Sequence, residues 1–142
     1  MNISFVHAHP DDETLATGAL IAHLVAAGHD VSVLTATRGE MGEVVPGPLS
    51  HLAGTPELEA RREQELAGAL GVLGVQRSAY LGAPPARVEG VAPRRYLDSG
   101  MSWISEGVAG PADDADERSL TSAPFDEVVA DIDAWLRATG TE

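Results

Sequence analysis

The amino terminus constrains the fold most. Ile3 to Val6 is a short apolar run ending at His7, and it reads as a buried strand. From Glu13 to Ala27 the chain is almost wholly apolar, through Leu15, Ala19, Leu20, Ala22, Leu24 and Ala26, until Gly28. That length without a breaker predicts one helix stopped by a glycine. After a three-residue turn, the β-branched stretch Val31 to Thr37 predicts a second strand. Strand, helix and strand with short joins form a βαβ unit. Such a unit commits the chain to a parallel sheet with a right-handed crossover.

Beyond it, Gly39 to Gly54 is rich in Gly and Pro and has no period, which predicts a long and therefore functional loop. Thr55-Pro56 carries the signature of an N-cap followed by proline at the first helical position. Leu58, Leu66, Ala69, Leu70 and Leu73 then line one helical face up to Gly74, and Ser78 to Leu81 predicts a third strand. Residues 83–123 read as irregular. Ser122-Ala123-Pro124 opens a last helix whose apolar positions are Phe125, Val128, Val129, Ile132, Trp135 and Leu136, with Gly140 as its end. There is no internal repeat and no inter-domain linker. The fold class is α/β, a Rossmann-like parallel sheet with flanking helices in a single domain over residues 1–142.

Composition narrows the function. The 142 residues carry 22 acidic and 9 basic side chains, a net charge of −13, which disfavours nucleic acid and anionic membrane as partners. All nine cations are Arg, so Schiff-base and P-loop lysine chemistry are excluded. The absence of Cys excludes a disulfide scaffold, a thiolate zinc site and a cysteine nucleophile. No apolar run approaches a membrane span and no signal peptide is evident, so a cytoplasmic location is expected.

The segment His7-Ala8-His9-Pro10-Asp11-Asp12-Glu13 carries the chemistry. It lies at the carboxyl end of the first strand, where open parallel sheets bind ligands. Imidazole and carboxylate side chains this close suit a divalent metal, and a carboxylate that does not ligate can act as a general base. Pro10 stiffens the turn and holds His9 extended. Asp11 or Asp12 could instead cap the helix, and His7 could be a satisfied core residue.

Ala8 to Glu13 resembles the signature of the LmbE/PIG-L family of zinc-dependent N-deacetylases. Gly39-Glu40-Met41-Gly42-Glu43-Val44 is similar to the family's loop after strand two, and Arg62-Glu63-Gln64-Glu65-Leu66 to a stretch of its next helix. Tyr96-Leu97-Asp98-Ser99-Gly100-Met101 resembles a segment of mycothiol-pathway members, which remove acetate from N-acetylglucosaminyl-inositol. The resemblance spans essentially the whole chain. It implies that His9 and Asp12 ligate zinc, with ferrous iron an alternative. It makes Asp11 the general base toward the metal-bound water and places Arg62 and Asp98 on sugar or inositol hydroxyls. Arg62 could equally lie on a solvated helix face, and Asp98 could be a turn residue. Glu40 and Glu43 read as loop polarity.

The resemblance also implies a third zinc ligand, a histidine in a His-Pro-Asp-His-like motif beyond the last helix, with a tyrosine upstream of it. No His follows His51 here. His7 and His51 are the candidates to substitute. The expectation is thus the N-terminal part of a deacetylase domain, apparently truncated after the third strand and following helix. Its first strand is left with an open edge, so self-association or a complementary C-terminal chain becomes a candidate partner. Three functions follow: a metal-dependent N-deacetylase acting on a small amino-sugar substrate, a non-catalytic remnant or half of a split enzyme, and a nucleotide-binding module. The acidic first βα turn, which would repel a pyrophosphate, disfavours the last.

Overall fold

A computed structural model describes residues 1–141. Strands β1 (Asn2–His7), β2 (Asp30–Thr35) and β3 (Arg77–Tyr80) form a parallel sheet in the order β1-β2-β3. β2 is central and its residues from Val31 onward are buried on both faces, as parallel strands require. Val31 and Val33 face Ile21, Leu66 and Leu70, so helices α2 (Gly18–Ala26) and α3 (Pro56–Leu73) share one face of the sheet. Leu34 and Ala36 face the other way, against Trp135 of helix α4 (Phe125–Thr139) and against Leu81, Ala86 and Tyr96.

β1 differs from the buried strand expected. It is an edge strand, half-buried through most of its length with Val6 exposed, because only β2 pairs with it. α4 ties it down from one face: Trp135 Nε1 donates to Ser4 Oγ at 2.6 Å, and Asn2 Nδ2 donates to the Gly140 carbonyl at 3.0 Å.

The single helix expected over 13–27 is two pieces, α1 (Asp12–Leu15) and α2. The break falls at Ala16–Thr17, where Thr17 has φ −129° and ψ 1°. Its hydroxyl competes for the backbone, donating to the Glu13 carbonyl at 3.1 Å. α3 and α4 end at Gly74 and Gly140, both left-handed, as the glycine signals indicated. Thr55 stands at the N-cap of α3, but its hydroxyl donates backwards to the Leu52 carbonyl rather than into the helix. On α4, Val128, Ile132, Trp135 and Leu136 pack inward, whereas Phe125 and Val129 are exposed. The stretch 83–123 contains an unforeseen antiparallel hairpin, β4 (Ser102–Ser105) with β5 (Val108–Gly110). Its strands expose Trp103, Ile104 and Val108, so no buried face advertised it in the sequence.

The irregular segment is fastened by one buried carboxylate. Asp131 of α4 is fully buried and accepts from Arg87 Nη1 at 2.8 Å, Tyr96 OH at 2.8 Å and the Val88 amide at 3.1 Å. Asp131→Ala leaves Arg87, itself 7% exposed, short of a partner and orphans the Tyr96 hydroxyl. We expect a loss of about 3–5 kcal/mol, read by urea denaturation.

Tyr80 yields a pH-dependent outcome. Burial, with the Glu63 carboxylate adding to it, pushes its phenol up to about 12. The hydroxyl is buried with no hydrogen-bond partner among the described residues, and Arg38 lies 4.2 Å over the ring. The fold therefore favours the neutral phenol. Its contribution is full below the unfolded value of about 10 and is lost as pH climbs through the folded value. We expect Tyr80→Phe to keep or slightly raise stability near neutral pH and to lessen the alkaline loss. Urea midpoints at about pH 8 and about pH 11 check this.

Candidate active site

The carboxyl ends of β1 and β2 are stitched together beyond the sheet. Ala36 N donates to the His7 carbonyl at 2.8 Å, and Thr37 donates to the Ala8 carbonyl from both its amide and its hydroxyl, each at 3.0 Å. The loops after the two strands thus leave from one point. Pro10 is buried beneath them, and Asp11 follows with φ 103°, the one left-handed non-glycine residue among those described. Any residue with a Cβ meets a steric cost there, which Asp tolerates better than most, and its neighbours hold it in place.

A third segment is laid across these loops from the far side. Arg94 N donates to the Gly82 carbonyl at 2.9 Å, and a Cβ on Gly82 would strike the Arg94 carbonyl, so this approach requires glycine. Tyr96 anchors on Asp131, and two residues later Asp98 arrives over the loops, 7% exposed. Glu40 fixes it there: Oε2 accepts from the Asp98 amide at 3.2 Å, and Oε1 accepts from Arg95 Nη2 at 2.7 Å. Glu40 is therefore a structural anchor rather than loop polarity. The sequence hid this because its partners lie 55 and 58 residues away.

The result is a cavity of about 420 Å³ lined by His9, Asp11, Gly39, Met41, Arg62 and Asp98 among others. His9 Nε2 lies 3.5 Å from Asp98 Oδ1, and His9 Nδ1 lies 3.7 Å from Asp12 Oδ2. The Asp98 carboxylate holds the imidazole above its ordinary value despite partial burial. Burial would raise Asp98 itself, but His9 and the Gly100 amide outweigh it and hold it below the usual carboxylate range. Asp12 Oδ2 accepts from the His9 amide at 3.0 Å, which closes the turn. Asp11 is raised, chiefly by burial, with the Asp12 and Glu13 carboxylates adding and Arg62 opposing.

Arg62 reaches the cavity from α3. It is only 16% exposed, so it is not on a solvated helix face, and Nη1 lies 3.8 Å from Asp11 Oδ2. Its Nε is buried without a hydrogen-bond partner among the described residues. It passes against Gly39 and Gly42; a Cβ on Gly42 would strike its Nη2. The Gly-x-x-Gly spacing of that loop thus makes room for the guanidinium.

The two histidines considered as further ligands lie elsewhere. His7 Nε2 is 3.0 Å from the Thr17 hydroxyl, and its ring stacks on Phe5. His51 Nδ1 is 3.0 Å from the Pro48 carbonyl on an exposed turn. His9 cannot join Asp12 and Asp98 on one ion either, because it meets them with opposite ring nitrogens. Among the described residues, no three His, Asp or Glu side chains converge as a metal site. A zinc ion wants ligands at about 2.0–2.2 Å and, in catalytic sites, three protein groups. His9 and Asp12 fit as two of them, and the set is incomplete. Among the described residues, no helix is long and apolar enough to cross a membrane.

Comparison with known proteins places this geometry. The deacetylase of 1D-myo-inositol 2-acetamido-2-deoxy-alpha-D-glucopyranoside from Kineococcus radiotolerans is 48% identical over 136 residues, 95% of this chain and 35% of its own. The protein of the same name from Mycobacterium avium is 45% identical over 121 residues, 84% of this chain and 37% of its own. The chain therefore spans little more than a third of the length of these curated relatives. A deacetylase solved in complex with teicoplanin superposes with a TM-score of 0.60 over 99% of this chain and 55% of its own. At 19% identity, that likeness speaks for the fold. Residues 4–139 match the PIG-L family, described as GlcNAc-PI de-N-acetylase, and the chain belongs to that family.

Proposed function

We propose that this chain carries the water-activating and sugar-binding half of a metal-dependent N-deacetylase, which removes acetate from an inositol-linked, N-acetylglucosamine-type amino sugar such as 1D-myo-inositol 2-acetamido-2-deoxy-alpha-D-glucopyranoside, the compound in its relatives' names. The observation that carries the reading is Asp11. It is a carboxylate in a left-handed backbone, raised by partial burial, and set in one cavity with His9, Arg62 and Asp98.

Each residue has a task that its surroundings suit. Asp11 takes a proton from water at a side-chain oxygen and can return it to the departing amine. Arg62, which lines the cavity, brings guanidinium donors to sugar hydroxyls. Asp98, held ionised, accepts from them. His9 and Asp12 would hold zinc or ferrous iron, and such an ion supplies Lewis-acid activation of the acetamide carbonyl and of water. Because only two ligands stand together, we expect this chain to bind zinc weakly, and His9→Ala to abolish that binding in a calorimetric titration.

The incomplete ligand set favours a second reading, a non-catalytic remnant or one half of a split enzyme. Acetate release from N-acetylglucosaminyl-inositol with zinc present decides between them. Under the first reading, Asp11→Asn lowers the rate about 10²- to 10⁴-fold with little change in KM. Release that is insensitive to Asp11→Asn overturns the role of the base. Release at background assigns the chain to the second reading. Gly42→Ala gives a separate check on Arg62. Its methyl would displace the guanidinium, so the affinity for N-acetylglucosamine-type ligands should fall about tenfold or more while the thermal midpoint moves little.

A further inference from the structure

We infer that Glu13, braced by Thr17 and His7, is the positioning residue that imposes the left-handed conformation of Asp11. That Asp11 serves as a base belongs to the reading above; its positioning stands on the geometry here.

Glu13 is 1% exposed, and among the described residues no Arg or His lies within ion-pair distance of it. A carboxylate is costly to bury without a cation unless hydrogen bonds satisfy it. Here both oxygens are used. Oε2 accepts from the Asp11 amide at 2.9 Å, and Oε1 accepts from the Thr14 hydroxyl at 2.7 Å. The other end of Asp11 is held as well, since its carbonyl accepts from the Thr14 amide at 3.0 Å and the Leu15 amide at 2.9 Å. With the amide aimed into Glu13 and the carbonyl aimed into α1, both ends of Asp11 are held while its backbone stands at φ 103°, ψ −28°.

The brace continues into the sheet. The Thr17 hydroxyl donates to the Glu13 carbonyl at 3.1 Å and meets His7 Nε2 at 3.0 Å. His7 is the last residue of β1 and is stacked on Phe5, so this chain of contacts fixes Glu13 to the strand from which the site loop departs. It gives a reason for the helix break at Thr17. It also gives His7 a task other than ligating a metal.

The experiment is amide NMR on the full chain, comparing wild type with Glu13→Gln and Glu13→Ala. The readouts are hydrogen exchange at the Asp11 amide and the three-bond coupling that reports its φ, with the β2 amides of Val33 and Leu34 as references. A neutral acceptor is about half as strong as a carboxylate. In Glu13→Gln the Asp11 amide should exchange several-fold faster and its proton move upfield, while the coupling keeps its left-handed value. In Glu13→Ala exchange should quicken by about tenfold or more, and the coupling should move toward the value of negative φ. The references should stay as they are in both variants. An Asp11 amide that exchanges as in wild type in Glu13→Gln overturns the inference, whether or not Glu13→Ala folds. Acetate release enters neither readout, so the inference and the deacetylase reading can fail separately.

Discussion

The buried carboxylate of Asp131 is the contact on which the far wall of the site depends. It gathers a guanidinium, a phenol and a backbone amide at one point of α4. Beside it, residues 83–101 hold to the sheet through the buried Ala86 and Tyr96. Tyr96 is fully buried, and the hydrogen bond from its hydroxyl settles which way the ring enters. Asp98 then reaches His9 because it is two residues from a fixed tyrosine. A residue of α4 thus sets the reach of a residue in the cavity.

The same device recurs across the molecule. Glu13 holds Asp11, Glu40 holds Asp98, and Asp131 holds Tyr96, in each case by accepting hydrogen bonds at the base of a loop. All nine arginines stand within ion-pair distance of a carboxylate. Many of these pairs are exposed and contribute little. Arg62 is the exception in kind. It is largely buried, its nearest carboxylate oxygen is at 3.8 Å, and it lines the cavity rather than solvent. A net charge of −13 is therefore more than a solubility feature, since part of it builds the loops.

Local signals made much of this legible. The sheet and the ends of α3 and α4 followed from apolar period, proline and glycine, all of which act within a few residues. The cluster from His9 to Asp12 was legible for the same reason: its members are neighbours in the chain and sit at a strand end. What stayed hidden depends on distant partners or on competition. The break at Thr17 needs a hydroxyl to win a carbonyl from the helix, and it needs His7 beside it. Glu40 looked like loop decoration because Arg95 and Asp98 come from another part of the chain. Phe125 and Val129 fit the helical period, yet α4 meets only one sheet face and leaves them in water.

Asp11 shows how these levels meet. A glycine at that position would relieve a backbone penalty of about 1–2 kcal/mol. It would also remove the carboxylate, and the cavity has no other carboxylate beside Arg62 in the same exposed, upward-shifted state. The strain is offset by the hydrogen bonds that hold both ends of Asp11. One of them has a charged acceptor and two belong to the first turn of α1. α1 starts directly after Asp11 and is ended by the break at Thr17, so it is four residues long and α2 makes the rest of the crossover. The irregularity at the start of an otherwise regular βαβ unit thus has two local causes, the held turn at Asp11 and the hydroxyl of Thr17.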